Sequence, residues 1–170
     1  MALREDTRDL HHACEQHAVG AAMSDGSVDE QTWTDWLGCL FVVHSFLDYH
    51  LPIEMRRVFH VKADLHAMAS RGFTPRANNA ALEFTAMRMK PDAAAYVFGG
   101  AHLMGGAVME KRLGDRLPCE HLRWYDRRAA IDVWRPMRER DDLTQPARDT
   151  FAAILEMMDE IYDRPASHPA

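Results

Sequence analysis

Apolar residues recur at three- and four-residue spacing along most of this chain, which is the spacing of a single helix face. In the first segment this stripe is formed by Leu3, Thr7, Leu10, Cys14 and Ala18. The alternating apolar and polar pattern of β-strands does not persist anywhere, and β-branched residues rarely cluster. The chain is therefore predicted to be all-α, a single-domain multi-helix bundle.

Capping residues, glycines and prolines divide this pattern into successive helices. The predicted helical segments are 2–23, 27–49, 53–70, 74–89 and 91–113, two shorter helices between 120 and 138, and a last helix over 144–162. A capping box, Ser27-Val28-Asp29-Glu30, opens the second helix, and Thr74-Pro75 opens the fourth. The domain is expected to span residues 1–163, and residues 164–170 are expected to form a flexible C-terminal tail.

Length, charge and cysteine usage exclude several classes of protein. The 170 residues suffice for one domain with a real core, and the net charge of -6 argues against a broad nucleic-acid-binding surface. No apolar run reaches the roughly 18 residues of a membrane span, and the charged N-terminus lacks a signal-peptide pattern. Three well-separated cysteines, Cys14, Cys39 and Cys119, fit reduced thiols better than disulfides. We therefore expect a cytoplasmic protein that binds neither membranes nor nucleic acid.

Four of the nine glycines fall between positions 99 and 106, inside an otherwise helical segment. Each helical glycine costs about 1 kcal/mol relative to alanine, so the cluster costs roughly 4 kcal/mol and requires a compensating benefit. Glycine lets another body approach the backbone closely and permits a kink. Two explanations are equally compatible with this pattern: a flat ligand lying against the helix, or a packing feature, which would be either close contact between helices or a break between two helices.

A histidine in the first helix, His11, lies beside the apolar stripe, with Arg4 and Arg8 one or two turns before it. Neutral imidazole is a common axial ligand of heme iron, and arginine suits the two heme carboxylates. The plainer interpretation is a half-exposed helix histidine without a ligand, which is how we interpret His12 and His17.

Several segments resemble one family, the heme oxygenases. Residues 3–11, with Glu15 after them, resemble the opening helix, which carries a basic residue, a threonine and then the proximal histidine. Residues 40–48 resemble the aromatic-rich second helix, and residues 96–108 resemble the kinked distal helix with its glycine pair. Residues 134–151 resemble the closing helices of the compact bacterial members associated with phytochromes. The resemblance covers nearly the whole chain.

This resemblance implies a heme held between the first helix and the glycine-broken helix, with His11 as the iron ligand. It also implies a set of heme-contacting residues: Arg4, Arg8, Tyr96 and Arg135 near the propionates, and Gly105 and Gly106 against the heme face. His102 stands where many members carry an aspartate that organises distal water. It can serve as an acid–base group, act as a second iron ligand, or simply pack in the distal wall.

The implied activity is oxidative cleavage of heme to biliverdin, carbon monoxide and iron, with heme b (iron protoporphyrin IX) as both cofactor and substrate. The implied partners are an electron donor, such as a ferredoxin or a flavin reductase, and a phytochrome that accepts the bilin. One alternative is a non-catalytic heme-binding or heme-sensing protein with His102 as second iron ligand. A less favoured alternative is a non-heme diiron oxidase, in which His44 with Asp48, His60 with Asp64, and Glu15 would bind the metal.

Overall fold

The computed structural model describes residues 2–164, which form helices joined by short turns, without any strand in that range. The all-α prediction is therefore confirmed for this part of the chain. The helices, in chain order, are α1 (Ala2–Asp6), α2 (Arg8–Gln16), α3 (Ala18–Asp25), α4 (Glu30–Leu47), α5 (Val58–Ala69), α6 (Asn79–Glu83), α7 (Pro91–Gly100), α8 (Gly106–Leu113), α9 (Arg127–Trp134) and α10 (Thr144–Tyr162).

The segment predicted as one first helix is divided into three. It is interrupted at Thr7, whose hydroxyl donates to the Leu3 carbonyl at 2.8 Å, and at His17, whose backbone is extended with ψ 141°. The His17 ring then caps α3 by accepting the Val19 N–H at 3.1 Å. A Cβ at Gly20 would lie 1.9 Å from a backbone oxygen of α2, so only glycine permits this close approach.

Two predicted helix starts are wrong by a few residues because a different side chain provides the cap. The capping residue of α4 is Asp29, whose Oδ1 accepts the Thr32 N–H at 2.9 Å, and not Ser27. The cap of α6 is Asn78, which accepts the Ala81 N–H at 2.9 Å, so this helix does not begin at Thr74-Pro75.

The last helix, α10, lies at the centre of the bundle and contacts α2, α3, α4, α6 and α7. Its inner face buries Phe151, Ile154, Met157 and Ile161, while the exposed positions between them are polar, as the amphipathic pattern predicts. Because α2 and α7 both pack on α10, this helix sets the separation between the first helix and the glycine-rich segment.

A buried carboxylate ties the end of the described chain to the bundle. Asp35 of α4 is buried and pairs with Arg76 at 2.5 Å, and Arg164 lies 3.6 Å from the same oxygen. The predicted flexible tail therefore begins with a residue that is tied down. The rest of that prediction, residues 165–170, lies outside the described residues.

Within the described residues, no helix has both the length and the apolar character that a bilayer crossing requires. All three cysteines are buried and unpaired, as predicted.

Candidate functional site

The glycine-rich segment predicted as one kinked helix contains a wide turn. α7 ends at Gly100, the five residues Ala101–Gly105 form a π-helical turn, and α8 begins at Gly106. A π-turn admits an extra residue and so changes which side chains face the core. Within this turn His102 is buried, while Met104, two residues later, is more than half exposed.

The first two glycines serve close packing between helices. A Cβ at Gly99 would lie 2.6 Å from the Met55 side chain, and a Cβ at Gly100 would lie 3.0 Å from the Trp134 ring. For this pair the packing explanation of the glycine cluster is therefore the correct one.

The second pair behaves differently. A Cβ at Gly105 would meet nothing within 4 Å, whereas one at Gly106, which is buried, would point at Leu122 at 3.5 Å. Met104 and Val108 are exposed on either side of Gly105. Of the two predicted heme-facing glycines, only Gly105 presents a bare backbone to open space.

The predicted heme site lies between α2 and the segment formed by the π-turn and α8, and this region is hereafter called the cleft. α2 packs on α3 and on α10, where the Phe151 ring contacts His11. α3 in turn packs on α8, and Arg112 of α8 donates to the Ser24 carbonyl. These contacts connect α2 to α8 through α3.

His11 lies on the α2 side of this cleft, with 57% of its side chain exposed. Its ring meets the Phe151 ring edge-on at 5.8 Å, and its Nδ1 lies 3.8 Å from the Glu15 carboxylate. His12 approaches the same carboxylate at 3.8 Å, while His17 is engaged by Asp159 at 3.0 Å. His11 is thus an accessible imidazole supported by an aromatic ring, without a short hydrogen bond among the described residues.

Positive charge is concentrated around Tyr96. Its ring stacks on Trp134 at 5.8 Å, and burial raises the pKa of its hydroxyl, while hydrogen bonding to Thr7 and the charges of Arg138 and Arg4 oppose that rise. Two arginines on different elements, one on α1 and one after α9, are therefore close enough to Tyr96 to affect the pKa of its hydroxyl.

The other two predicted propionate-binding arginines lie on the surface without contact to Tyr96. Arg8 is 79% exposed and 3.7 Å from Glu5, and Arg135 is 67% exposed and 3.9 Å from Asp132. Arg138, three residues after Arg135, was missed in the sequence, although it faces Trp134 at 5.7 Å. The sequence shows two arginines here, Arg135 and Arg138. Only the helical register after α9 shows that Arg138, and not the exposed Arg135, faces Trp134.

His102 belongs to a buried cluster of three imidazoles, hereafter the histidine cluster, formed by His44, His102 and His121. The rings of His44 and His102 are stacked with centroids 5.4 Å apart, and the His121 ring meets His102 edge-on at 5.5 Å. Three nitrogens, His44 Nε2, His102 Nδ1 and His121 Nε2, are enclosed and have no hydrogen-bond partner.

Carboxylates hold two of these rings. His44 Nδ1 lies 2.8 Å from Asp48, and His121 Nδ1 lies 2.6 Å from Asp64. The sequence prediction paired Asp64 with His60 instead; the structure places His60 3.6 Å from Glu120. His121 was not recognised in the sequence because it lies in a short turn without helical periodicity and meets Asp64 across 57 positions.

The diiron alternative receives no support from the described part of the chain. Asp48 and Asp64 are each occupied by backbone N–H groups as well as by an imidazole, and Glu15 lies on the surface beside His11 and His12. Between residues 2 and 164 no group of three or more histidine, cysteine or carboxylate side chains is arranged to hold a metal ion.

Burial favours the neutral form of two rings in this cluster, those of His102 and His121. It lowers the pKa of His102 well below 6.5, and the nearby charges of His121, His44 and Arg57 lower it further. Burial also lowers the pKa of His121, although the hydrogen bond and charge of Asp64 act in the opposite direction.

The free energy of unfolding should therefore fall as the pH is lowered below about 6.5. In this range the unfolded chain binds a proton at His102, whereas the folded chain does not. The contribution of His102 to stability is therefore fully present above its pKa in the unfolded chain, and it is lost as the pH falls towards its lower pKa in the folded chain. In His102→Gln, urea unfolding across this range should show a pH slope smaller by up to about 1.4 kcal/mol per pH unit. His66→Gln, at an exposed position on α5, is the control. An unchanged pH slope in His102→Gln would contradict the lowered pKa of His102.

Comparison with known proteins gives similarity in structure alone. No family model and no curated protein matches the sequence. The structure is similar to heme oxygenase-1 from the cyanobacterium Synechocystis in complex with heme, with a TM-score of 0.76 and 18% identity, covering 94% of this chain and 90% of that one. It is also similar to the heme oxygenase of Leptospira interrogans, with a TM-score of 0.77 and 16% identity, covering 93% and 97%. The chain therefore has the heme oxygenase-like fold.

Proposed function

We propose that the chain is a heme oxygenase, which binds one heme b in the cleft and cleaves it to biliverdin, carbon monoxide and iron. The observation that carries this proposal is the heme oxygenase-like fold, in which His11 is an accessible imidazole and Gly105 a backbone with open space beside it. A buried polar group, His102, stands in the wall of the Gly105 side.

The residues around the cleft fit a porphyrin with two carboxylates. Met104 and Val108, both exposed, and the Phe151 ring supply apolar surface for the porphyrin faces. At the Tyr96 end, Arg4 and Arg138 supply the cations that carboxylates require. Arg8 and Arg135 lie on exposed surface and would join them only by side-chain rotation.

When bound, heme supplies the iron at which oxygen reacts and the ring that is cut. In this proposal the imidazole of His11 would bind the iron. The bare backbone at Gly105 would let the heme approach this wall closely, while the arginines near Tyr96 would hold the carboxylates of the heme. Residues of the π-turn exclude bulk water and position the water that delivers protons.

His102 is proposed to act on that water. Its ring is 5% exposed and lies between His44 and His121 in the wall, which favours a positioning or acid–base role over iron ligation. We further propose a cytoplasmic location, a ferredoxin or flavin reductase as electron donor, and a phytochrome as the recipient of the bilin.

The test is aerobic incubation of the hemin complex with ascorbate, and in parallel with reduced ferredoxin. We expect the Soret band to decay while the red absorbance of biliverdin rises. A stable low-spin spectrum with two histidine ligands would instead contradict the enzyme and support the alternative, a heme-binding or heme-sensing protein.

A further inference from the structure

We infer that the histidine cluster holds one ordered water molecule, and that this water keeps His102 in the Nδ1–H tautomer, with Nε2 bare. The water site follows from the hydrogen bonds of the chain alone; its consequence for oxygen chemistry rests on the proposed function.

The proton position on His44 follows from its carboxylate partner. Asp48 Oδ2 accepts the backbone N–H groups of Arg57 at 2.8 Å and Val58 at 2.7 Å, and Oδ1 faces His44 Nδ1 at 2.8 Å. A carboxylate has only acceptors, so we assign the hydrogen between the two side chains to His44 Nδ1. In a neutral ring this leaves Nε2 as an acceptor.

The same argument applies to His121. Asp64 accepts the Glu120 N–H at 2.7 Å and the His121 N–H at 3.0 Å, and its Oδ2 lies 2.6 Å from His121 Nδ1. The proton therefore lies on Nδ1, and His121 Nε2 is a second bare acceptor, fully enclosed in the core.

The third nitrogen, His102 Nδ1, completes the set that one water can satisfy. Two enclosed acceptors require two donated hydrogens, which a single water supplies, and the oxygen of that water then accepts one hydrogen bond. Only the Nδ1–H tautomer of His102 provides that hydrogen. Buried waters typically make about three hydrogen bonds to otherwise unsatisfied groups, which is the number available here.

Two other occupants of the histidine cluster are less favourable. A cation or an extra proton would face the Arg57 guanidinium, which is buried over the Trp124 ring at 3.9 Å, although Asp48 and Asp64 provide negative charge. The three rings are also not arranged as ligands of one metal ion. A neutral water avoids the positive charge and needs no change in the rings.

The bare Nε2 makes His102 a hydrogen-bond acceptor towards solvent. His102 lines a surface cavity of about 290 Å³ together with Glu110 and Trp124, and its Nε2 is not among the enclosed atoms. This nitrogen can accept a hydrogen bond from a water but cannot donate one. His102 is thus a positioning residue for water in this cavity: it orients a water molecule and does not itself donate a proton.

The test uses heme-free protein labelled with 15N-histidine, so that it does not depend on heme binding. Long-range 1H–15N NMR near pH 7 should show His44, His102 and His121 all as Nδ1–H tautomers, and His102 Nδ1–H should exchange magnetisation with a long-lived water. An Nε2–H tautomer or an imidazolium at His102, or the absence of that water signal, would overturn the inference.

Variants of the cluster provide the second measurement. In His44→Phe and His121→Phe the water loses one acceptor, and we expect the ratio of Nδ1–H to Nε2–H tautomer at His102 to fall by about tenfold. His66→Phe, on the exposed face of α5, should leave the ratio unchanged. If both cluster variants fold and keep the ratio of the unaltered protein, no shared water sets this tautomer. A normal tautomer pattern without biliverdin formation would contradict only the proposed function.

Discussion

Replacing His11 with alanine is expected to weaken hemin binding by at least about tenfold and to abolish the spectrum of a histidine-ligated ferric heme. Loss of a residue that merely orients a metal ligand typically costs about 10–100-fold in affinity, so loss of the ligand itself should cost no less. Because His11 is 57% exposed and makes no short hydrogen bond, the fold should be unaffected. The measurement is a hemin titration followed by absorbance.

The matched control is His12→Ala. His12 is the neighbouring residue, with 63% of its side chain exposed and the same distance of 3.8 Å to Glu15, so it shares the environment of His11 but not its contact with Phe151. We expect hemin binding by His12→Ala to be normal, and free imidazole to restore the spectrum of His11→Ala. If His11→Ala kept the original spectrum, His11 would not be the iron ligand.

The helices that could be predicted from the sequence are those defined by local signals. The helix over 144–162 was predicted at its observed bounds, since proline in its first turn and a continuous amphipathic pattern both lie within it. The break at His17 could not be predicted, because histidine is compatible with a helix interior. The bend there depends on the approach of Gly20 to the backbone of α2, which is a tertiary contact.

The residues of the candidate site could likewise be predicted only where the signal is local in the sequence. His11, Tyr96 and Gly105 could be proposed from the sequence because they lie in contiguous segments that resemble the heme oxygenases. His121 and Arg138 were missed because their roles come from partners far along the chain: Asp64 for His121, and Tyr96 for Arg138. Hydrogen bonds and charges of this kind leave no periodic trace in the sequence.

Filling the cleft at Gly105 should separate heme binding from folding. In Gly105→Leu we expect hemin affinity to fall by about tenfold to hundredfold, the equivalent of about 1–3 kcal/mol for forcing extra methylenes into a filled site. The heme-free protein should keep or gain stability. The backbone at Gly105 has φ -91° and ψ -24°, which any residue adopts, and a Cβ there meets no atom within 4 Å.

The adjacent glycine provides the comparison. In Gly106→Leu the new side chain would grow from a Cβ 3.5 Å from Leu122 inside the core, so we expect a loss of about 1–3 kcal/mol in the free energy of unfolding. Urea unfolding of the heme-free variants and hemin titration together distinguish the two positions. Normal hemin affinity in a folded Gly105→Leu protein would mean that no flat ligand lies against this backbone. Helix packing would then account for Gly99 and Gly100, which lie against Met55 and Trp134, and would leave Gly105 without a role.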